Sequence, residues 1–198
     1  MRIFLNKIYN ISGYLAAFFI LAICVLVMAQ VSLNLIDKTY SAVTGEAIGL
    51  TIPSYADFTG FFLAAASFLA LAYTLREGGH IRVSLITHQL PKSMQRIAEI
   101  FCLLVAAGTA SYFTWYLGAL VHESWFYDDL SSGMIAVPIW IPQTSAFAGL
   151  FILSIAFIDE LVLVLQGEEA SFAGKGENLL DETEAEIDKI VAMKGEAS

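Results

Sequence analysis

The stretch 75-LREGGHIRVSLITHQLP-91 decides how the rest of the chain is read. It is polar, with Arg76, Glu77, His80, Arg82 and His88, a glycine pair at Gly78 and Gly79, and a closing Pro91. An apolar run of about 20 residues lies on either side. At 1.5 Å per helical residue, that length covers about 30 Å of hydrocarbon. A polar connector between two such runs is a turn at a membrane surface.

Two further runs of the same kind lie outward of this pair. The predicted spans are 12–35, 56–74, 97–121 and 137–165. None carries Lys or Arg in its middle, where one would cost about 3 kcal/mol on insertion scales. Composition agrees: the 198 residues are 58% hydrophobic and 15% charged, against about one-half and one-quarter in soluble domains. The expected fold is an all-α integral membrane protein with four transmembrane helices. Residues 1–166 form its membrane domain, and residues 167–198 form an acidic tail that is partly disordered or a short helix.

Arg2, Lys7 and the small-residue run 27-VMA-29 imitate a cleavable signal. The apolar run, however, is longer than the roughly 7–15 residues of a signal core, so a retained span is expected. Cys24 and Cys102 fall inside predicted spans and form no CxxC pair, which leaves them as small packing residues.

Basic residues set the expected orientation. Arg2 and Lys7 precede the first span, and Arg76, Arg82, Lys92 and Arg96 surround the second connector, while the other two connectors hold only Lys38. Cytoplasmic short loops keep the excess of Lys and Arg. Both termini and the quoted stretch are therefore expected in the cytoplasm. Gly78 and Gly79 end the second span, Ile81–Leu90 is long enough for a short interfacial helix, and Pro91 redirects the chain into the third span. The tail holds nine acidic residues and three lysines, so six of the net charge of −9 sit there. Such a segment is a solvated tail, and nothing in the chain offers a nucleic-acid surface.

The second outward connector, 122-HESWFYDDLSSGMIA-136, sets Trp125, Phe126 and Tyr127 among Glu123, Asp128 and Asp129. Two readings stand: an aromatic belt at headgroup level, or a docking surface for an external partner centred on Trp125, Tyr127, Asp128 and Asp129. Pro138, Trp140 and Pro142 mark entry to the fourth span, and Pro142, a few residues inside it, predicts a bend there.

Polar groups at mid-depth are expensive and mark transport pathways. Here Asp57, Glu99, Asp159 and Glu160 all lie near predicted span ends. No span shows the Gly/Pro-broken middle of an ion and substrate site. His80 and His88 face the cytoplasm and His122 the outside, so they cannot share a haem. No nucleophile–base pair at one depth, no metal cluster and no phosphate loop is present. Neither an enzyme nor a cofactor is expected. Small residues four apart, as in Gly13–Ala17, Gly60–Ala64, Ala66–Ala70, Ala106–Ala110 and Ala107–Ser111, offer helix-packing surface instead.

The pattern L-R-E-G-G-H-I-R-V-S-L-I followed by Q-L-P resembles the signature of the DctQ-type small membrane subunit of TRAP transporters, strongest over Gly79, His80, Ile81, Arg82 and Val83. The resemblance extends to the four spans and to 137-VPIWIP-142 opening the last, but not to the tail. Many members carry an acidic pair with a Trp before the second span, where this chain has only Tyr55 and Asp57.

The resemblance implies a non-catalytic subunit in the inner membrane of a bacterium, importing an organic anion such as a carboxylate with sodium. A large DctM-type subunit would carry the sodium and solute sites and move as an elevator. This chain would be its fixed scaffold, and a periplasmic solute-binding protein would dock transiently on the outside. Arg76, Gly78, Gly79, His80, Ile81, Arg82, Val83 and Pro91 would shape the cytoplasmic elbow against lipid or the large subunit. An accessory or assembly subunit of an unrelated inner-membrane complex is the alternative.

Overall fold

The computed structural model describes residues 2–77 and 91–167. They form four helices: α1, Arg2–Thr44; α2, Tyr55–Arg76; α3, Lys92–Phe126; and α4, Trp140–Gln166. All four are long and apolar enough to cross a membrane, and the described residues contain no strand beyond one isolated bridge. The chain is an all-helical, multi-pass membrane protein with four transmembrane helices. The tail and the short helix expected after α2 lie outside the described residues.

The first helix continues well past residue 35, through Asp37, Lys38 and Thr39 to Thr44. The reason is local. After Gly13 no glycine or proline interrupts the sequence until Gly45. There the chain enters the left-handed region at φ 81 and its N–H bonds the Ser41 carbonyl at 2.9 Å, the left-handed cap that only glycine adopts without a Cβ penalty.

Beyond Gly45 the chain doubles back against α1. One carboxylate oxygen of Asp37 accepts both the Ile48 and the Gly49 N–H, each at 2.8 Å. The Gln30 side chain, almost fully buried at 4% exposure, accepts the Ile52 N–H at 2.8 Å and donates to Thr51 and Asn34 at 3.0 and 3.1 Å. Residues 30, 34 and 37 share one helical face. That face holds the returning segment 45–52 as a strap.

Two compact units can be distinguished, and each is described by itself. The first comprises residues 1–73 and 108–155. In it Ala16, Ala65 and Leu69 are buried together with Phe19 and Ala70 against them. The Ser12 hydroxyl donates to the Leu69 carbonyl, and Gly13 is so close to Tyr73 that a Cβ would meet the ring at 2.8 Å. Gly149 lies directly on the Phe68 backbone and Gly118 under the Phe147 ring. A hydroxyl pair, Thr114 and Ser154, joins α3 to α4 at 3.0 Å, while each hydroxyl also bonds a carbonyl of its own helix. In lipid such contacts replace the hydrophobic drive. Small residues are used selectively: Ala66 and Ala110 are buried, whereas a Cβ on Gly60 would meet open space.

The second unit comprises residues 74–107 and 156–198. Leu103 and Val164 are buried with Ile100, Phe157 and Leu161 around them. The Pro91 carbonyl accepts the N–H groups of Met94 and Gln95, which starts α3. The Arg96 guanidinium donates to the carbonyls of Val164 and Leu165 at 3.0 and 3.4 Å. It thereby caps α4, whose end carries the negative pole of the helix dipole.

Candidate functional site

The connectors α1–α2 and α3–α4 meet at one end of the first unit. The end of α3 is set by Asp128, in the left-handed region at φ 50. Its N–H bonds the Trp125 carbonyl at 3.4 Å and the Asp129 N–H bonds Ser124 at 3.1 Å, the paired bonds of a Schellman ending. The chain then closes on itself. Leu130 and Pro138 form an antiparallel bridge, the Ser131 N–H bonds Val137 at 2.8 Å, and the Ile139 N–H bonds Asp129 at 2.9 Å. The Ser131 hydroxyl fills the middle, accepting from the Val137 N–H at 3.0 Å and donating to the Ile135 carbonyl at 3.3 Å.

This closed loop is fastened to the start of α2. The Ile135 N–H donates to the Ser54 hydroxyl at 2.9 Å. Gly133 rests on the Asp57 carboxylate and on Ser54 so closely that a Cβ would overlap both. Ser54 itself sits at φ 56. Among the described residues, Ser54 and Asp128 are the non-glycine positions with positive φ, and both shape this end. A left-handed non-glycine residue costs about 1–2 kcal/mol, and it persists only where its surroundings hold it, as they commonly do at functional surfaces.

The loop displays an apolar and acidic surface. Trp125, Phe126 and Tyr127 are each more than 60% exposed, and Asp128 and Asp129 are exposed beside them. Trp125 meets Trp140 at a tilt with ring centroids 5.1 Å apart, and Phe126 meets Tyr127 edge-on at 5.2 Å. The candidates Trp125, Tyr127, Asp128, Asp129, Pro138 and Trp140 thus come together at this loop and the helix ends that flank it. Pro142 has a different role from the bend expected of it. α4 begins at Trp140, so Pro142 lies in the first turn, where its missing N–H displaces no helical hydrogen bond.

The other candidates are divided by what the structure describes. Arg76 is the last residue of α2 and Pro91 starts α3. Gly78, Gly79, His80, Ile81, Arg82 and Val83 lie outside the described residues. Sequence reasoning missed Ser54, Ser131 and Gly133. A serine after Pro53 and the S-S-G run at 131–133 were the available signals, but only the fold brings 54 next to 135.

Among the described residues, no three His, Cys, Asp or Glu side chains gather as a metal site, and Cys24 and Cys102 are separate and exposed. The helices define an integral membrane protein with one latched, aromatic end. Residues 39–167 match the family model of the tripartite ATP-independent periplasmic transporters, DctQ component. The chain belongs to that family and is a small membrane subunit of a TRAP transporter. The match spans the connector between α2 and α3 and sets aside the alternative of an unrelated complex. This family is a transporter component and not an enzyme family. No curated protein matches the chain.

Proposed function

We propose that this chain is the stationary subunit of a sodium-driven importer of an organic anion such as a carboxylate, in the inner membrane of a bacterium. A large DctM-type subunit carries the sodium and solute sites, and a periplasmic binding protein delivers the solute. The single observation that carries this reading is the pattern of exposure within the membrane helices. Of the apolar span of α1 only 11% of residues are buried, and of that of α4 39%. Such wide unpacked faces, with polar groups used for latching rather than for a pathway, suit a scaffold for another membrane protein. Orientation follows the basic residues: termini and elbow in the cytoplasm, the loop 127–139 outside.

Purification of the tagged chain from its native membrane in mild detergent tests the assignment. A stoichiometric, multi-span partner is expected. Recovery of this chain alone removes the scaffold role.

The closed loop is proposed as the contact for the binding protein, with Trp125 and Tyr127 as anchors and Asp128 and Asp129 setting charge. Reversing both acids, Asp128→Lys with Asp129→Lys, should lower solute uptake roughly tenfold at unchanged membrane abundance, mainly through slower encounter. Uptake at the original rate would leave the loop as an aromatic belt. At the elbow, Gly78, Gly79, His80 and Arg82 are proposed to position the chain against headgroups or the large subunit. His80→Asn should keep both assembly and uptake; an assembled but inactive complex would give His80 a role in proton coupling.

A further inference from the structure

Ser54 is the last residue before α2, which begins at Tyr55, and its carbonyl accepts a helical bond from the Phe58 N–H at 3.1 Å. A serine in that place ordinarily sits in the β region and turns its hydroxyl to an N–H of its own first turn. Ser54 departs on both counts. It lies at φ 56, and its hydroxyl accepts the Ile135 N–H, 81 positions away, at 2.9 Å. A left-handed serine is unfavourable on its own. Here it is tied to a contact with a distant part of the chain, not to the start of its own helix.

The position is braced from both sides. Two residues earlier, Gln30 of α1 holds the Ile52 N–H at 2.8 Å. Three residues later, the Asp57 carboxylate lies against Gly133. A Cβ on Gly133 would overlap that carboxylate and meet the Ser54 hydroxyl at 2.8 Å, so only a glycine lets the loop seat this closely. The loop 127–139 is meanwhile closed near its base by the Ile139 N–H on Asp129 and the Ser131 N–H on Val137. Those bonds set its internal shape. Its direction relative to α2 is set at the tip, by Gly133 and Ile135.

The exposed surface of this end has two parts. Trp125, Phe126 and Tyr127, with the two aspartates after them, lie at the base of the loop, and Met134, 83% exposed, lies at its tip. The latch fixes the tip against the base, so the two parts form one surface only while it is closed. A partner that needs the closed surface binds more weakly as the fraction of molecules presenting it falls, and its apparent Kd rises in inverse proportion. On the reading of this loop as the contact for the binding protein, we infer that Ser54 and Gly133 are positioning residues for that docking. They act through the loop, by holding it in the direction that the binding protein meets.

The test uses the complete membrane complex in lipid nanodiscs, with the transporter's own binding protein, fluorescently labelled, as the probe. In separate samples a spin label on Ser132→Cys, in a chain carrying Cys24→Ala and Cys102→Ala, reports motion of the loop tip. Ser54→Gly removes the hydroxyl while easing the left-handed backbone, so the melting temperature of the complex should hold. The label should become mobile, and the apparent Kd for the probe should rise about fivefold, as when about one molecule in five presents the closed loop. Gly133→Ala, which pushes the loop off its seat, should give the same pair of changes. A merely structural role would instead lower the melting temperature and the recovery, and leave the Kd of the recovered complex unchanged. An immobile label, or an unchanged Kd beside a mobile label, would overturn the positioning role. Asp128→Lys with Asp129→Lys then separates the two proposals. Weaker binding of the probe by that variant would leave the loop as the contact, whereas intact binding would remove the contact as well.

Discussion

α1 and α4 are similarly apolar yet are used in opposite ways. α4 is packed along its length: Gly149 against the Phe68 backbone, Phe147 over Gly118, Ser154 on Thr114, and Leu103 beside Val164. Among its described residues α1 buries Tyr9, Ser12, Ala16 and Gln30, and it leaves most of its circumference exposed. Hydrophobicity cannot distinguish these roles, because lipid and protein interior are equally apolar. What differs is the supply of small residues and hydroxyls facing a partner. Packing in this chain is written in its small residues, and its large exposed ones record surface left for others.

Substitutions can break that contrast, and the largest effect is expected at Gly149. Gly149→Val drives a side chain into the Phe68 backbone. Overpacking of this kind costs about 1–3 kcal/mol, a fall of roughly 2–12 °C in the melting temperature of the detergent-solubilised chain. Gly60→Val, which meets open space, should shift it by less than about 1 °C by the same conversion. Equal effects at the two glycines would end the distinction between packed and open faces.

Smaller effects belong to the hydroxyl pair. Thr114→Val and Ser154→Ala should each cost about 0.6–1.7 kcal/mol, and a double-mutant cycle should give coupling near 0.6 kcal/mol, as for other hydrogen bonds between membrane helices. Additive costs would show that the 3.0 Å contact contributes nothing of its own. At the strap, Gln30→Ala removes the acceptor of the Ile52 N–H and should cost about 1 kcal/mol. Amide exchange at Ile52 should then rise about fivefold, that free energy appearing as local opening. Exchange unchanged at Ile52 would mean that Asp37 alone holds the strap.

The smallest effect is expected on the open side of α1. Leu21→Ala should change the stability of the isolated chain by less than about 0.5 kcal/mol, the range of surface substitutions. A loss above about 2 kcal/mol, the range for core truncations, would place Leu21 in an internal interface and erase the comparison.

The four spans were legible because length and the absence of mid-span charge are one-dimensional properties. The family was legible in the Gly79–Val83 pattern and its surroundings. The helix α1 outruns the span expected within it, because residues 36–44 mix Asp37 and Lys38 with apolar positions and lose the continuous oiliness of a span. Helix and span are different quantities, and only Gly45 ends the helix. The loop at 127–139 was legible as an aromatic and acidic cluster but not as a closed, fastened element. Its fastening depends on Ser54 and Gly133, which are ordinary loop residues until the fold brings them together.

The bond from the Ile135 N–H to Ser54 spans 81 positions of sequence. The contacts of α1 with α2, and of α3 with α4, close within their own helical hairpins. Each hairpin can therefore enter the membrane and settle before the other is complete, whereas the Ser54 latch can close only when both are in place. The latch therefore tethers the aromatic cluster only when the two hairpins are docked.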